Sequence, residues 1–113
     1  MTTTVSSDYS GSASGGTIPQ GNDGLVPRGV SVLAYGAGVT GIAGNGSHHM
    51  QIWGDLFGDG IGLLLGDNTQ LGVEVAKVYS GGSISSNSTA VKMLGTSNLV
   101  VNYGDISGNH EAI

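Results

Sequence analysis

Cysteine is absent from the 113-residue chain, which excludes disulfides and thiolate metal sites outright. Charge is scarce as well. Asp, Glu, Lys and Arg make up 10% of the residues, against about 25% in ordinary soluble domains. The formal balance is −5, from Asp8, Asp23, Asp55, Asp59, Asp67, Glu74, Asp105 and Glu111 against Arg28, Lys77 and Lys92. Three cations scattered along the sequence assemble no basic patch, which argues against a nucleic acid or an anionic membrane as partner. Long apolar runs are missing too: Ile61 to Leu65 already contains Gly62 and falls far short of the roughly 20 residues a membrane span needs. Met1 to Gly16 carries no basic region followed by an apolar stretch, so no cleavable secretory signal is visible there. Either the segment belongs to a longer chain or export relies on a signal elsewhere.

Glycine is what the chain has in abundance. Its 22 copies argue against helices, because each interior Gly costs roughly 0.5–1 kcal/mol relative to Ala, and they do not recur every third residue as collagen requires. They mark a repeated phrase instead: a Gly, a variable residue, an aliphatic, a short Gly/Asn/Asp/Ser-rich stretch, then a small residue before another aliphatic. The phrase runs from Gly16-Thr17-Ile18 to Gly24-Leu25, from Gly54-Asp55-Leu56 to Gly60-Ile61, from Gly82-Ser83-Ile84 to Ala90-Val91, and from Gly104-Asp105-Ile106 to Ala112-Ile113. Its first aliphatics are 38, 28 and 22 residues apart, the mark of a solenoid whose coils close with loops of different size.

Between the phrases lie short alternations with a period of two: Val30-Ser31-Val32, Ile61-Gly62-Leu63, Leu71-Gly72-Val73-Glu74-Val75, Val91-Lys92-Met93 and Leu99-Val100-Val101. That period puts alternate side chains on opposite faces of a strand, with Ser31, Glu74 and Lys92 expected to point outward. Gly66-Asp67-Asn68, Gly95-Thr96-Ser97-Asn98 and Gly44-Asn45-Gly46-Ser47 are the expected corners. Equivalent strands of successive coils must run the same way, and chirality makes such crossovers right-handed in about 98% of cases. The expected fold is all-β, a single right-handed parallel β-helix of about four irregular coils, over an antiparallel sandwich that would not need one phrase to recur. Residues 1–13 form a flexible tail or an N-terminal cap in this reading, and 14–113 the β-helix. Leu25-Val26-Pro27-Arg28-Gly29 matches a protease site common in expression vectors, but its position inside a repeat, in expected register with Ile61 and Val91, marks it as native coil.

Asn102-Tyr103-Gly104-Asp105-Ile106-Ser107-Gly108-Asn109, followed by Ala112-Ile113, resembles the degenerate repeat of bacterial exported β-helical proteins. These include autotransporter passenger domains and haemolysin-type proteins of one-step secretion systems. The resemblance covers about residues 14 to 113 through short motifs. It implies a right-handed parallel β-helix, a secreted or cell-surface location and commonly an adhesive role; with the residues above, the expected function is a non-catalytic scaffold or adhesin-like segment. The calcium-binding Gly-Gly-x-Gly-x-Asp nonapeptide of that class is matched only in fragments, at Gly58-Asp59-Gly60-Ile61 and Gly21-Asn22-Asp23-Gly24-Leu25. A calcium-binding haemolysin-type roll, with Asp23, Asp59, Asn87 and Asn109 as ligands, is therefore one alternative; Asx turns that bond their own backbone are the plainer reading of the same residues.

An aromatic precedes three of the phrases: Trp53, Tyr79 and Tyr103. Stacked about 4.8 Å apart in successive coils, they form either an outward platform for sugar rings, suited to surface glycans or host matrix molecules, or a packed rib. With one Trp, four Tyr and one Phe in the chain, packing is favoured. His48-His49 on one strand point to opposite faces and suit a single metal ion poorly; solvated loop histidines are expected there and at His110. Asp55 and Asp105 share a place in the phrase and could approach one another, with Asp67 and Glu74 elsewhere, which keeps a polysaccharide-acting β-helix enzyme as the other alternative. No cation has a matching place, and no catalytic residue is assigned. Ile113 falls where another strand would begin, so the last coil lacks a polar cap and end-to-end self-association is expected.

Overall fold

The computed structural model describes residues 2–4, 8–12, 15–18, 23–44, 48–66, 73–94 and 97–110, with no helix among them. Among the described residues fourteen short strands lie in three parallel sheets, the arrangement of a parallel β-helix. One sheet stacks β1 (Thr2–Thr4), β4 (Asp23–Val26), β7 (His48–Ile52), β10 (Val73–Val78) and β13 (Ser97–Asn102). A second stacks β2 (Tyr9–Gly11), β5 (Ser31–Ala34), β8 (Asp55–Gly58), β11 (Ser83–Ser86) and β14 (Asp105–Gly108). The third stacks β3 (Gly16–Ile18), β6 (Thr40–Gly44), β9 (Ile61–Leu65) and β12 (Thr89–Met93). Each strand pairs with the one three places on in the chain, so a coil contributes one strand to each sheet. The pairing starts at Thr2–Thr4 and Tyr9–Gly11, ahead of residue 14.

Three rows of aliphatic side chains, one per sheet, fill the interior. Val26, Ile52 and Val78 are register partners in the first sheet, Val32, Leu56 and Ile84 in the second, and Ile42, Leu63 and Val91 in the third. All nine are essentially inaccessible to solvent. Because the register is in phase from coil to coil, each inward aliphatic lies on another rather than on a polar group. Val26 is one of these core residues, which makes Leu25-Val26-Pro27-Arg28-Gly29 an integral part of a coil.

Three details of register differ from those expected from the sequence. Leu56, Ile84 and Ile106 do align, but their partner in the preceding coil is Val32, and Ile18 belongs to the third sheet. The 38-residue gap therefore contains a coil whose corner carries Val30 where later coils carry the phrase's Gly. Leu25 pairs with Gln51 in the first sheet, whereas Ile61 pairs with Thr89 and Val91 with Leu63 in the third, so these aliphatics share no row. Glu74 is fully buried: in β10 it is Glu74, Ala76 and Val78 that face inward, while Val75 and Lys77 face out, the reverse of the expected phase. Ser31 and Lys92 do face outward. Of the expected corners, Asn45 to Ser47, Asp67 to Asn68 and Gly95 to Thr96 lie outside the described residues, as does Ile113.

The phrase's Gly has a steric reason. A Cβ on Gly54 would come within 2.2 Å of the Val30 carbonyl oxygen, and one on Gly82 within 2.5 Å of the Ile52 carbonyl oxygen, because each corner rests on the backbone of the coil before it. The carbonyls that exclude the side chain are themselves hydrogen-bonded between coils: Val30 O accepts from the Asp55 N–H and Ile52 O from the Tyr79 N–H. Replacing Ile84 by Ala removes the centre of a core row and is expected to cost about 2–5 kcal/mol in chemical denaturation, whereas Lys92→Ala, on the exposed face of β12, is expected to change stability by under about 0.5 kcal/mol.

Candidate functional site

The corner between the first and second sheets carries the aromatic residues. In each coil the residue after the strand donates its N–H to the same acceptor one coil back: Trp53 to Val26 O, Tyr79 to Ile52 O and Tyr103 to Val78 O, at 2.8, 2.9 and 2.8 Å. That repeated bond sets Trp53, Tyr79 and Tyr103 in one column. The Trp53 and Tyr79 rings are parallel within 2° with centroids 3.7 Å apart. Tyr103 is 66% exposed. Two rungs of the expected ladder, Trp53 and Tyr79, are therefore stacked, and each spends one face on the other, so the column does not present a flight of open ring faces to solvent.

Two cations meet this column. Arg28 lies in the corner after β4, where Gly29 takes a φ of 85° in a turn that pushes outward, and its guanidinium carbon sits 5.6 Å from the Trp53 ring centroid. Its Nη1 reaches on to the turn of a later coil, where a Cβ on Gly81 would lie 2.9 Å away. Lys77, two residues before Tyr79 on the outward face of β10, holds its ammonium 5.5 Å from the Tyr79 ring centroid. Such contacts contribute about 0.5–1 kcal/mol at exposed sites. Arg28 and Lys77, scattered in the sequence, thus contact the two rings of one stack. The second cation was within reach of the alternation rule, since positions 77 and 79 share a face; Arg28 was not, because its reach depends on a turn that only the coil lengths define.

A second column runs along the corner between the second and third sheets. Asp59 accepts from the Gly36 N–H at 2.7 Å through one carboxylate oxygen and from the Asn87 amide through the other, and the Asn109 amide donates onward to the Asn87 carbonyl at 3.5 Å. These side chains bond from coil to coil rather than to their own backbone, which departs from the Asx-turn expectation. Asp23, grouped with them by sequence, is elsewhere: it is in the first sheet, accepting from the His49 N–H at 3.2 Å. With amide N–H groups turned toward it, the Asp59 carboxylate is satisfied by donors. Among the described residues no three His, Cys, Asp or Glu side chains are grouped to hold a metal ion.

The carboxylates considered for catalysis are not brought together. Asp55 and Asp105 both pair with Ser83, which stands between them in the second sheet, and the Ser83 hydroxyl donates to Asp55 at 2.7 Å. Glu74 is in the interior and Asp67 lies outside the described residues. His48-His49 belong to β7 rather than a loop; His49 is exposed, and Met50 beside it is core. A further aromatic contact that no motif in the chain marks, Tyr35 on Phe57 with centroids 5.5 Å apart, joins two consecutive coils.

No family model, curated protein or solved structure matches the chain. Among the described residues no helix is long and apolar enough to cross a membrane.

Trp53 is the sole tryptophan, so its fluorescence reports on the stack. Tyr79→Ala is expected to change the Trp53 emission and to cost about 0.5–1.5 kcal/mol beyond lost buried area, measured by urea unfolding against Tyr35→Ala as a control remote from Trp53. The Asp59 carboxyl is held below its ordinary value of 3.8 by the Gly36 N–H first and the Asn87 amide second, with desolvation opposing them. Its contribution to stability is therefore complete above the unfolded value and lost as pH falls through the lower folded value. The stability advantage of the wild type over Asp59→Ala is expected to be constant from pH 7 to about 5 and to shrink below about 4, read from thermal unfolding across that range.

Proposed function

We propose that this chain is a non-catalytic β-helical scaffold, an adhesin-like segment of a secreted or cell-surface protein that uses the aromatic corner to engage glycans. The observation that carries the reading is the way outward polar groups are used. Asp59, Asn87 and Asn109 bond along one corner, and Asp55 is engaged by Ser83 one coil on, so these groups brace neighbouring coils instead of converging on a reacting centre. General acid–base cleavage of a glycosidic bond needs two carboxyl groups facing one another across the scissile bond. Asp55 and Asp105 stand two coils apart with Ser83 between them, and the Asp55 carboxylate is taken up by the Ser83 hydroxyl.

The aromatic corner is the feature that supports recognition. Tyr103 leaves most of its ring open, with Leu99 at 54% exposure on the adjoining outward face of β13. Sugar C–H faces pack on such rings while hydroxyls stay in water. The location draws on the resemblance of the Asn102-to-Asn109 segment to exported β-helical repeats.

A glycan panel tests both halves of the reading. Retention of at least one glycan is expected, weakened by Tyr103→Ala with no change in melting temperature, and no release of reducing ends on prolonged incubation. Release that scales with protein concentration would refute the scaffold assignment.

A further inference from the structure

We propose that β13 is a self-pairing edge, through which two copies of this chain join by antiparallel pairing of their Ser97–Asn102 strands about a twofold axis at Val100. The partner is a second copy, and the inference stands apart from the ligand of the aromatic corner.

Among the described residues β13 has a strand partner on one side only, β10. The direction of its remaining backbone groups follows from the bond next to it. Tyr103 N–H donates back to Val78 O, and successive residues of a strand turn their N–H and C=O to opposite sides. Leu99 and Val101 therefore point theirs toward β10, while Asn98, Val100 and Asn102 point theirs to the open edge. Earlier strands of this sheet keep the same parity, since Val26 O, Ile52 O and Val78 O each accept from the coil that follows.

Open edges are ordinarily blunted by Lys, Pro or a bulge. β13 has none of these: it reads Ser-Asn-Leu-Val-Val-Asn and pairs with β10 without interruption. Leu99 is 54% exposed on its outward face beside the half-buried Val101, and Val100 and Ile106, packed on the core, are only half covered at this end. The opposite end of the coil stack is built differently. There the Asp8 carboxylate accepts from the Ser31 N–H at 2.9 Å, and the Tyr9 ring leans over Gly11, where a Cβ would lie 2.6 Å from the Tyr9 hydroxyl. Because Tyr9 pairs with Val32, Asp8 belongs to the row of Ser31, Asp55, Ser83 and Asp105. Stacking copies head to tail would therefore set Asp105 of one against Asp8 of the next, a like-charge pair that opposes that arrangement.

What fits the edge is the strand itself, because Asn98-Leu99-Val100-Val101-Asn102 is its own complement when reversed. With the axis at Val100, Val100 faces its own counterpart, Leu99 faces Val101 of the other copy, and Asn98 faces Asn102, so apolar meets apolar and amide meets amide. The hydrogen-bonded pairs fall on Asn98, Val100 and Asn102, the residues whose backbone groups point to the edge. Leu99 and Val101 take the closely spaced pairs between them, where side chains pack best. Moving the axis to Leu99 or to Val101 would set Asn98 or Asn102 against Val100. Twofold pairing uses the same strand on both copies and closes at a dimer.

Sedimentation velocity and light scattering on the intact chain are expected to show a dimer that forms with rising concentration and grows no further. Two double variants that lose the same apolar side chains read the register. Leu99→Glu/Val101→Glu sets acid against acid at two places and is expected to weaken dimerisation at least about tenfold, whereas Leu99→Lys/Val101→Glu sets Lys against Glu and is expected to retain it. Circular dichroism is expected to be the same for both. Because the chain has no cysteine, Val100→Cys carries the only thiol. Oxidation is expected to cross-link it, since hydrogen-bonded antiparallel partners hold their Cα atoms about 5.5 Å apart, and to leave Lys92→Cys on the exposed face of β12 uncross-linked. A monomer at every concentration, an open-ended series of larger species, or equal dimerisation of the two double variants overturns the proposal.

Discussion

Everything in this fold depends on successive coils lying over one another with the register in phase. Backbone pairing between parallel strands about 4.8 Å apart forces each residue to meet its counterpart in the next coil, so whatever one coil places inward or outward is repeated as a column. Inward columns of Val, Ile and Leu give the core, with the nine central side chains excluded from solvent. Outward columns give the Asp59–Asn87–Asn109 ladder and the aromatic corner. The same geometry explains the poverty in charge, because a charged residue repeated in every coil would sit beside its own kind. Two acids in outward columns are followed by a Ser or an Asn: Asp55 meets Ser83, and Asp59 meets Asn87.

The fold was legible because the Gly phrase is a backbone requirement. Gly54, Gly82 and Gly104 stand where a side chain would strike the carbonyls of the preceding corner, so the sequence records the contact between coils directly. The register of the early coils was hidden because that corner admits an alternative: Val30 occupies the place of Gly54, and the eye passes from Gly16 to Gly54 over a whole coil. Glu74 was misassigned for a related reason. Alternation fixes which residues share a face but not which face is inside, and between Val73 and Val75 the polar residue would be placed outward by composition alone. Register with Ile52 and Val78 reverses it.

At the candidate site, the aromatic column could be read from the recurrence of Trp53, Tyr79 and Tyr103 ahead of the Gly phrase. Its consequence could not, because whether rings present faces or edges is decided by the tilt of each side chain, and the 3.7 Å separation of Trp53 and Tyr79 turns the faces toward one another. That Arg28 and Lys77 meet the two rings of one stack is likewise a product of coil length, since they stand nearly fifty positions apart in the chain. The calcium grouping failed for Asp23 because a shared neighbourhood of Gly and Asn occurs at more than one corner of the coil, and only Asp59, Asn87 and Asn109 occupy the same one.

The aromatic corner alternates between two and four residues from coil to coil without disturbing the strands on either side, while Val32, Leu56 and Ile84 stay in line across it. Length at that edge is thus decoupled from the packing beneath it. A lineage could add or remove a pair of residues there at little cost to the interior, altering the relief of the edge one layer at a time, so the rim is where new binding preferences would accumulate while the hydrophobic stack behind it stays fixed.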